Sequence, residues 1–141
     1  MVSIDDLSQG DMRGRLIDRE HMKGFVFAGN AVFTLRSIQS GVRFTYRVKR
    51  KDDVWFVMLR SGPNHETYLG MIKGGEFMTT RSSKVSILSP SWRAFDWFLR
   101  GLLRGGALRG VEFWHEGKCG KCGRPLTVPE SIAVGLGPQC R

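Results

Sequence analysis

Three cysteines, Cys119, Cys122 and Cys140, fall within the last 23 residues of the 141-residue chain. An odd number argues against a disulfide framework, which needs pairs and an oxidising compartment. Cys119-Gly120-Lys121-Cys122-Gly123 is a CxxC knuckle. Two thiolates at this spacing grip one ion, and the following glycine lets the backbone turn its amides toward the sulfurs. Seventeen residues separate Cys122 from Cys140, so the intervening fold must return the third sulfur. His115, four residues before Cys119, is close enough to supply a fourth ligand. A Cys₃His set is tetrahedral and closed, and it suits one structural Zn²⁺ ion. A thioredoxin-type redox dithiol would use the same CxxC, but it leaves Cys140 unexplained and no βαβ pattern surrounds it. Water or a carboxylate such as Glu116 competes with His115 for the fourth position, and water there would leave the ion open to a catalytic role.

The second group of residues with chemical potential is basic. Arg43, Arg47 and Lys49 share one side of an alternating run, and Arg50 and Lys51 continue the charge into a turn. Lys118, Lys121 and Arg124 surround the knuckle. If folding brings these clusters together, they form a stripe that attracts phosphates with strong salt dependence and little sequence choice. Trp55 or Tyr46 would add base stacking if either points outward, although core positions suit both. The plain alternative for the charges is a solvated sheet face.

The whole chain is basic, with 22 Lys and Arg against 13 Asp and Glu, a formal charge of +9 and a pI near 10.1. Such a field favours nucleic acid or acidic protein partners and is silent on fold. Nine Phe and four Trp can fill a core, so disorder over most of the length is excluded. No apolar run reaches the roughly 18 residues of a membrane span. Asp5, Asp6 and Asp11 replace the basic start of a secretory signal. A soluble, cytoplasmic protein is expected. Paired carboxylates, GxxxxGKT and HExxH are all absent from the sequence, and His21 and His65 stand alone in turn-like surroundings. Enzyme classes built on those motifs are therefore disfavoured.

The elements that would position these residues follow from periodicity. Residues 1–24 are polar and read as an arm, with a short helix around Asp18 to Lys23. Strands are expected at Ala31–Ser37, Val42–Lys49, Val54–Leu59, Thr67–Ile72 and near Phe77–Thr80. Val42, Phe44, Tyr46 and Val48 alternate with basic residues, whereas Val54–Leu59 reads as a central strand covered on both faces. Ser89-Pro90 opens a helix in which Trp92, Phe95, Leu99 and Leu102 form an apolar stripe, and Gly105-Gly106 ends it. In the return to Cys140, Thr127 is placed to cap a short helix starting at Pro129. The fold class is α+β: a small antiparallel sheet of four to five strands, one packed amphipathic helix and a C-terminal zinc knuckle. The expected divisions are residues 1–24, 25–110 and 111–141.

The run from His115 to Cys140 fits HxGxCxxCGRxLTxPxSIxxGxGPxC over 26 residues. It resembles an uncharacterised zinc-binding family frequent in small proteins of bacteriophages and mobile elements. Phe27-Ala-Gly-Asn-Ala-Val-Phe-Thr-Leu and Arg43-Phe-Thr-Tyr look like the companion region of those proteins. The resemblance implies the ligands His115, Cys119, Cys122 and Cys140, and a bacterial host cytoplasm as the setting. It implies no activity. The function expected is non-enzymatic nucleic-acid binding with zinc as a clamp. The alternatives are an accessory protein that modulates a host protein in defence or transcription, and a zinc hydrolase.

Overall fold

Alternation along Arg43–Lys51 sets the centre of the sheet: Tyr46 and Val48 are fully buried while Arg43 and Lys49 are exposed. In the computed structural model, which describes residues 14–106 and 108–141, this strand is β3. It follows β1 (Arg15–Leu16), α1 (Arg19–Val26) and β2 (Asn30–Ser37), and precedes β4 (Val54–Gly62), β5 (His65–Lys73) and β6 (Glu76–Met78). Then come α2 (Pro90–Arg104), β7 (Val111–His115) and α3 (Pro129–Val134). Strands β2 to β6 form the expected antiparallel meander. The β3–β4 hairpin closes on the pair Lys51–Val54, with Asp52 at φ 60°, the left-handed conformation that two-residue hairpins need.

Helix α2 forms where the period changes. The Ser89 side chain accepts from the Trp92 amide at 3.4 Å, Pro90 occupies the first turn, and Gly105 ends the helix at φ 79°. Phe95, Phe98, Leu99 and Leu102 are buried against the sheet, and Asp96 pairs with Arg100 at 2.6 Å on the solvent side. The Tyr46 hydroxyl donates to the Ser91 carbonyl at 2.7 Å, pinning helix to sheet.

Two features depart from the sequence-based expectation. The described residues form seven strands rather than four or five, in the order β1-β7-β2-β3-β4-β5-β6. After α2 the chain returns to pair β7 between β2 and β1, so the boundary expected at residue 111 cuts through the sheet. The N-terminal region is likewise integrated from Gly14 onward. Asp18 caps α1 by accepting from the Glu20 and His21 amides, and Leu16, Met22, Phe25 and Val26 are buried. Residues 1–13, the rest of the expected arm, lie outside the described residues. Arg19 reaches from α1 to the carbonyls of Gly101 and Gly106 at the end of α2. No helix among the described residues is long and apolar enough to cross a membrane.

Among the described residues the sheet has one covered face. Ala31, Phe33, Leu35, Tyr46, Val48, Val57, Leu69 and Phe113 join the helix side chains in the core. The opposite face carries Thr34, Arg36, Arg43, Thr45, Arg47, Lys49, Phe56, Met58, Arg60, Tyr68 and Trp114, and none of these belongs to the core. Contrary to its apolar composition, strand β4 is covered on one face only by the described residues: Val57 is buried while Phe56 and Met58 are half-exposed.

Candidate metal centre and open sheet face

A knuckle too short to hold its own core is seated on Phe25 of α1. A side chain at Gly120 or Gly135 would collide with that ring, so both positions need the missing Cβ to let the backbone approach. Backbone bonds complete the seat: the Asn30 amide donates to the Gly120 carbonyl at 2.7 Å, and the Gly120 amide to Gly135 at 2.9 Å. Helix α3 starts at Pro129 and ends at Gly135, with Val128 at its N-cap position and no side-chain cap, so Thr127 does not have the expected role.

This framework brings Cys119, Cys122 and Cys140 together, with their sulfurs within 4.8 Å of one another. Cys119 is buried, Cys140 half-buried and Cys122 exposed. The amides of Lys121 and Gly137 both point at the Cys119 sulfur from 3.4 Å. Burial pushes the Cys119 thiol up, but hydrogen bonds from the Gly137, Cys122 and Lys121 amides outweigh it and bring its pKa down to about 7. Cys140 hydrogen-bonds Cys119 and is pushed up to about 11, with burial adding to the effect. Three crowded sulfurs thus share protons that a soft divalent cation would displace, and the donor set fits such an ion.

His115 does not join them. Its Nδ1 accepts from the Gly117 amide at 2.9 Å, which leaves the proton on Nε2, and Nε2 donates to the Ile132 carbonyl at 2.8 Å. The ring is buried and stacks on Phe25 at 5.5 Å. Of the expected Cys₃His set, the three cysteines are brought together, while His115 is hydrogen-bonded to backbone behind them. Glu116, the other candidate, lies 3.9 Å from Arg60. Among the described residues no histidine or carboxylate joins the cluster as a fourth member.

The basic residues divide between the faces. Arg43 and Lys49 are exposed on the open face, and Arg47 on that face donates to Asn30 Oδ1 at 3.1 Å and pairs with Glu66 at 3.3 Å. Lys51 closes the hairpin on the same side. Arg50 leaves the stripe: its guanidinium lies over Trp55, 5.0 Å from the ring centroid, and its Nε donates to the Asp52 carbonyl. Lys118, Lys121 and Arg124 are exposed on the knuckle. The knuckle meets the stripe at β2, because Asn30 bonds both Gly120 and Arg47 while Gly29 accepts from the Arg50 amide at 2.9 Å.

The sequence reading did not single out Arg36, Arg60 or Trp114 for this face. Trp114, Arg36, Arg43, Glu112 and Thr34 line a trough of about 520 Å³. Glu112 accepts from Arg36 at 2.9 Å and from Trp114 at 3.3 Å. Burial pushes its carboxyl up, but those bonds and the charges of Arg15 and Arg36 hold it below its ordinary value. Tyr46 and Trp55 are unavailable for stacking. Tyr46 is fully buried, and Trp55 packs on the core with its Nε1 donating to Phe27. The alternation of β7, with Phe113 and His115 inward, would have pointed Trp114 outward had the strand been recognised.

Residues 112–141 match the model of a family of unknown function (DUF6011). No curated protein and no solved structure matches the chain. The matched segment contains all three cysteines and most of β7, and the family's description carries no activity.

Proposed function

We propose that this is a small phage-type protein that binds nucleic acid without catalysis on its open sheet face. In this reading, Zn²⁺ at Cys119, Cys122 and Cys140 staples the basic knuckle beside that face. The observation that carries it is the trough at Trp114, where one half-exposed indole lies beside Arg36 and Arg43 on a sheet face that the described residues leave open. An indole of this kind stacks on an unpaired base, worth about 1–3 kcal/mol per base. Arg43, Arg47 and Lys49, with Lys118, Lys121 and Arg124 of the knuckle, supply phosphate contacts that position a strand without reading its sequence. Zinc is the metal that fits best, because three thiolates favour a soft ion and the cluster needs no redox change.

The test is binding of the zinc-loaded protein to labelled single- and double-stranded DNA and RNA across a salt series. A single-strand preference with affinity falling steeply as salt rises supports the proposal. Absence of binding at low salt in all four forms overturns it. Capture of one stoichiometric host protein after nuclease treatment would then favour the accessory-protein reading.

A further inference from the structure

A three-sulfur site leaves one corner of a tetrahedron to be filled. Of the side chains nearest in sequence, His115 is hydrogen-bonded to Ile132 and Gly117, and Glu116 lies outside the cluster, 3.9 Å from Arg60. A cleft of about 430 Å³ opens against all three cysteines, and Ser131, Thr127 and Arg124 also line it. It is open to solvent, since Cys122, Arg124 and Thr127 are exposed. Ser131 is the exception. It is 1% exposed, and its hydroxyl has no hydrogen-bond partner among the described residues. Leaving a buried hydroxyl unpaired costs about 1–3 kcal/mol, so a group that completes it in the bound state is favoured.

We propose that the fourth metal ligand is an exchangeable oxygen donor from solvent, water at rest, held in this cleft by a hydrogen bond to Ser131 Oγ. The inference rests on the three cysteines being a metal site, as proposed above. Ser131 is a positioning residue here: it orients the ligand, as outer hydrogen-bond partners do at metal sites. The ion then staples the knuckle through three bonds and keeps one replaceable position. That position is the arrangement by which a small anion could be bound, and it differs from a closed structural site.

The experiment uses the full chain loaded with Co²⁺, read by its visible d–d absorption and by X-ray absorption at the metal, with azide as the probe. The expected result is one Co²⁺ per chain, three sulfurs and one oxygen at the ion, and a saturable spectral shift on adding azide. Ser131→Ala should keep the metal but weaken azide binding about tenfold or more, the usual effect of losing an outer partner. Ser131→Thr, which keeps the hydroxyl, should retain most of the azide affinity. A nitrogen ligand that disappears in His115→Gln overturns the proposal, as do four sulfurs or azide affinity unchanged in Ser131→Ala. Failure to bind Co²⁺ at all defeats the metal-site reading itself, so the two failures are distinguishable.

Discussion

His115 Nε2 and the carbonyl oxygen of Ile132 are joined at 2.8 Å across a sequence gap of 17 residues. That bond ties the end of β7 to α3, and the Gly117 amide on Nδ1 fixes the tautomer that makes it. The cysteine-bearing segment is therefore anchored by a neutral imidazole, and its three cysteines line a cleft together with Ser131.

His115→Ala should destabilise the fold while leaving the metal in place. The substitution strands the Ile132 carbonyl and removes the ring packed on Phe25, costing about 2–3 kcal/mol together. Denaturant unfolding of the loaded protein measures the loss, and metal stoichiometry is expected to stay at one. A stoichiometry of zero in His115→Ala, with Cys119 to Cys140 intact, would show that the imidazole is a ligand after all.

Acid should expose the same residue. Burial lowers the His115 pKa from its ordinary value of 6.5, and the opposing bond to Ile132 only partly offsets this. The unfolded chain therefore takes up the proton at a higher pH than the folded one. The stabilisation is complete above about pH 6.5 and is lost as pH falls toward the folded-state pKa. Urea midpoints between pH 7.5 and pH 5 should fall less steeply in His115→Gln than in the wild type. Thiolate protonation contributes to both curves, so parallel slopes would count against the histidine term.

Removing the metal should loosen the knuckle and spare the meander. The amides of Asn30, Gly120 and Cys119 bond within the knuckle and its seat, whereas the ladder from β2 to β6 does not pass through it. On chelation, hydrogen exchange at these three amides is expected to accelerate by a factor of ten or more, with β3 and β4 unchanged. Uniform acceleration through the sheet would mean that the ion holds the whole fold.

Two glycines with almost the same backbone angle should respond differently to a methyl group. Gly105 at φ 79° faces open space, so Gly105→Ala bears only the left-handed strain of about 1 kcal/mol. Gly135 at φ 75° abuts the Phe25 ring, so Gly135→Ala adds overpacking of about 1–3 kcal/mol to the same strain. Thermal unfolding should rank Gly135→Ala well below Gly105→Ala. Equal losses would show that the knuckle is not seated on Phe25.

On the proposed nucleic-acid face, Trp114→Ala and Arg43→Ala should fail in different ways. Loss of the indole should weaken single-strand binding by about 1–3 kcal/mol with an unchanged salt slope. Loss of the arginine should lower the slope by about one. Arg50→Ala, whose guanidinium is engaged over Trp55, is expected to change neither. A salt-slope change at Arg50 as large as at Arg43 would relocate the interface.

Much of this architecture is local and could be read directly. The period of two along Arg43–Lys51, the Ser89-Pro90 start of α2, its Gly105 stop and the spacing of Cys119 and Cys122 all express nearest-neighbour chemistry, and the structure repeats them. Strands β1 and β7 were not legible, because two and five residues carry too little periodicity and each exists only through its partner. The one-sided covering of β4 was hidden for a related reason: Phe56 and Met58 are apolar, but helix packing decides which face of a strand is closed.

The sequence by itself determined a basic chain with an antiparallel meander, one long amphipathic helix and three thiols of a spacing that could hold a metal ion. Only the tertiary structure decided what surrounds those thiols. The partner of His115 is a backbone carbonyl 17 residues ahead, and the seat of the knuckle is a phenylalanine more than 90 residues behind. The physical reason is range. Periodicity, caps and CxxC spacing are set within one or two turns of chain, whereas a side chain's final hydrogen-bond partner depends on which distant segments pack against it.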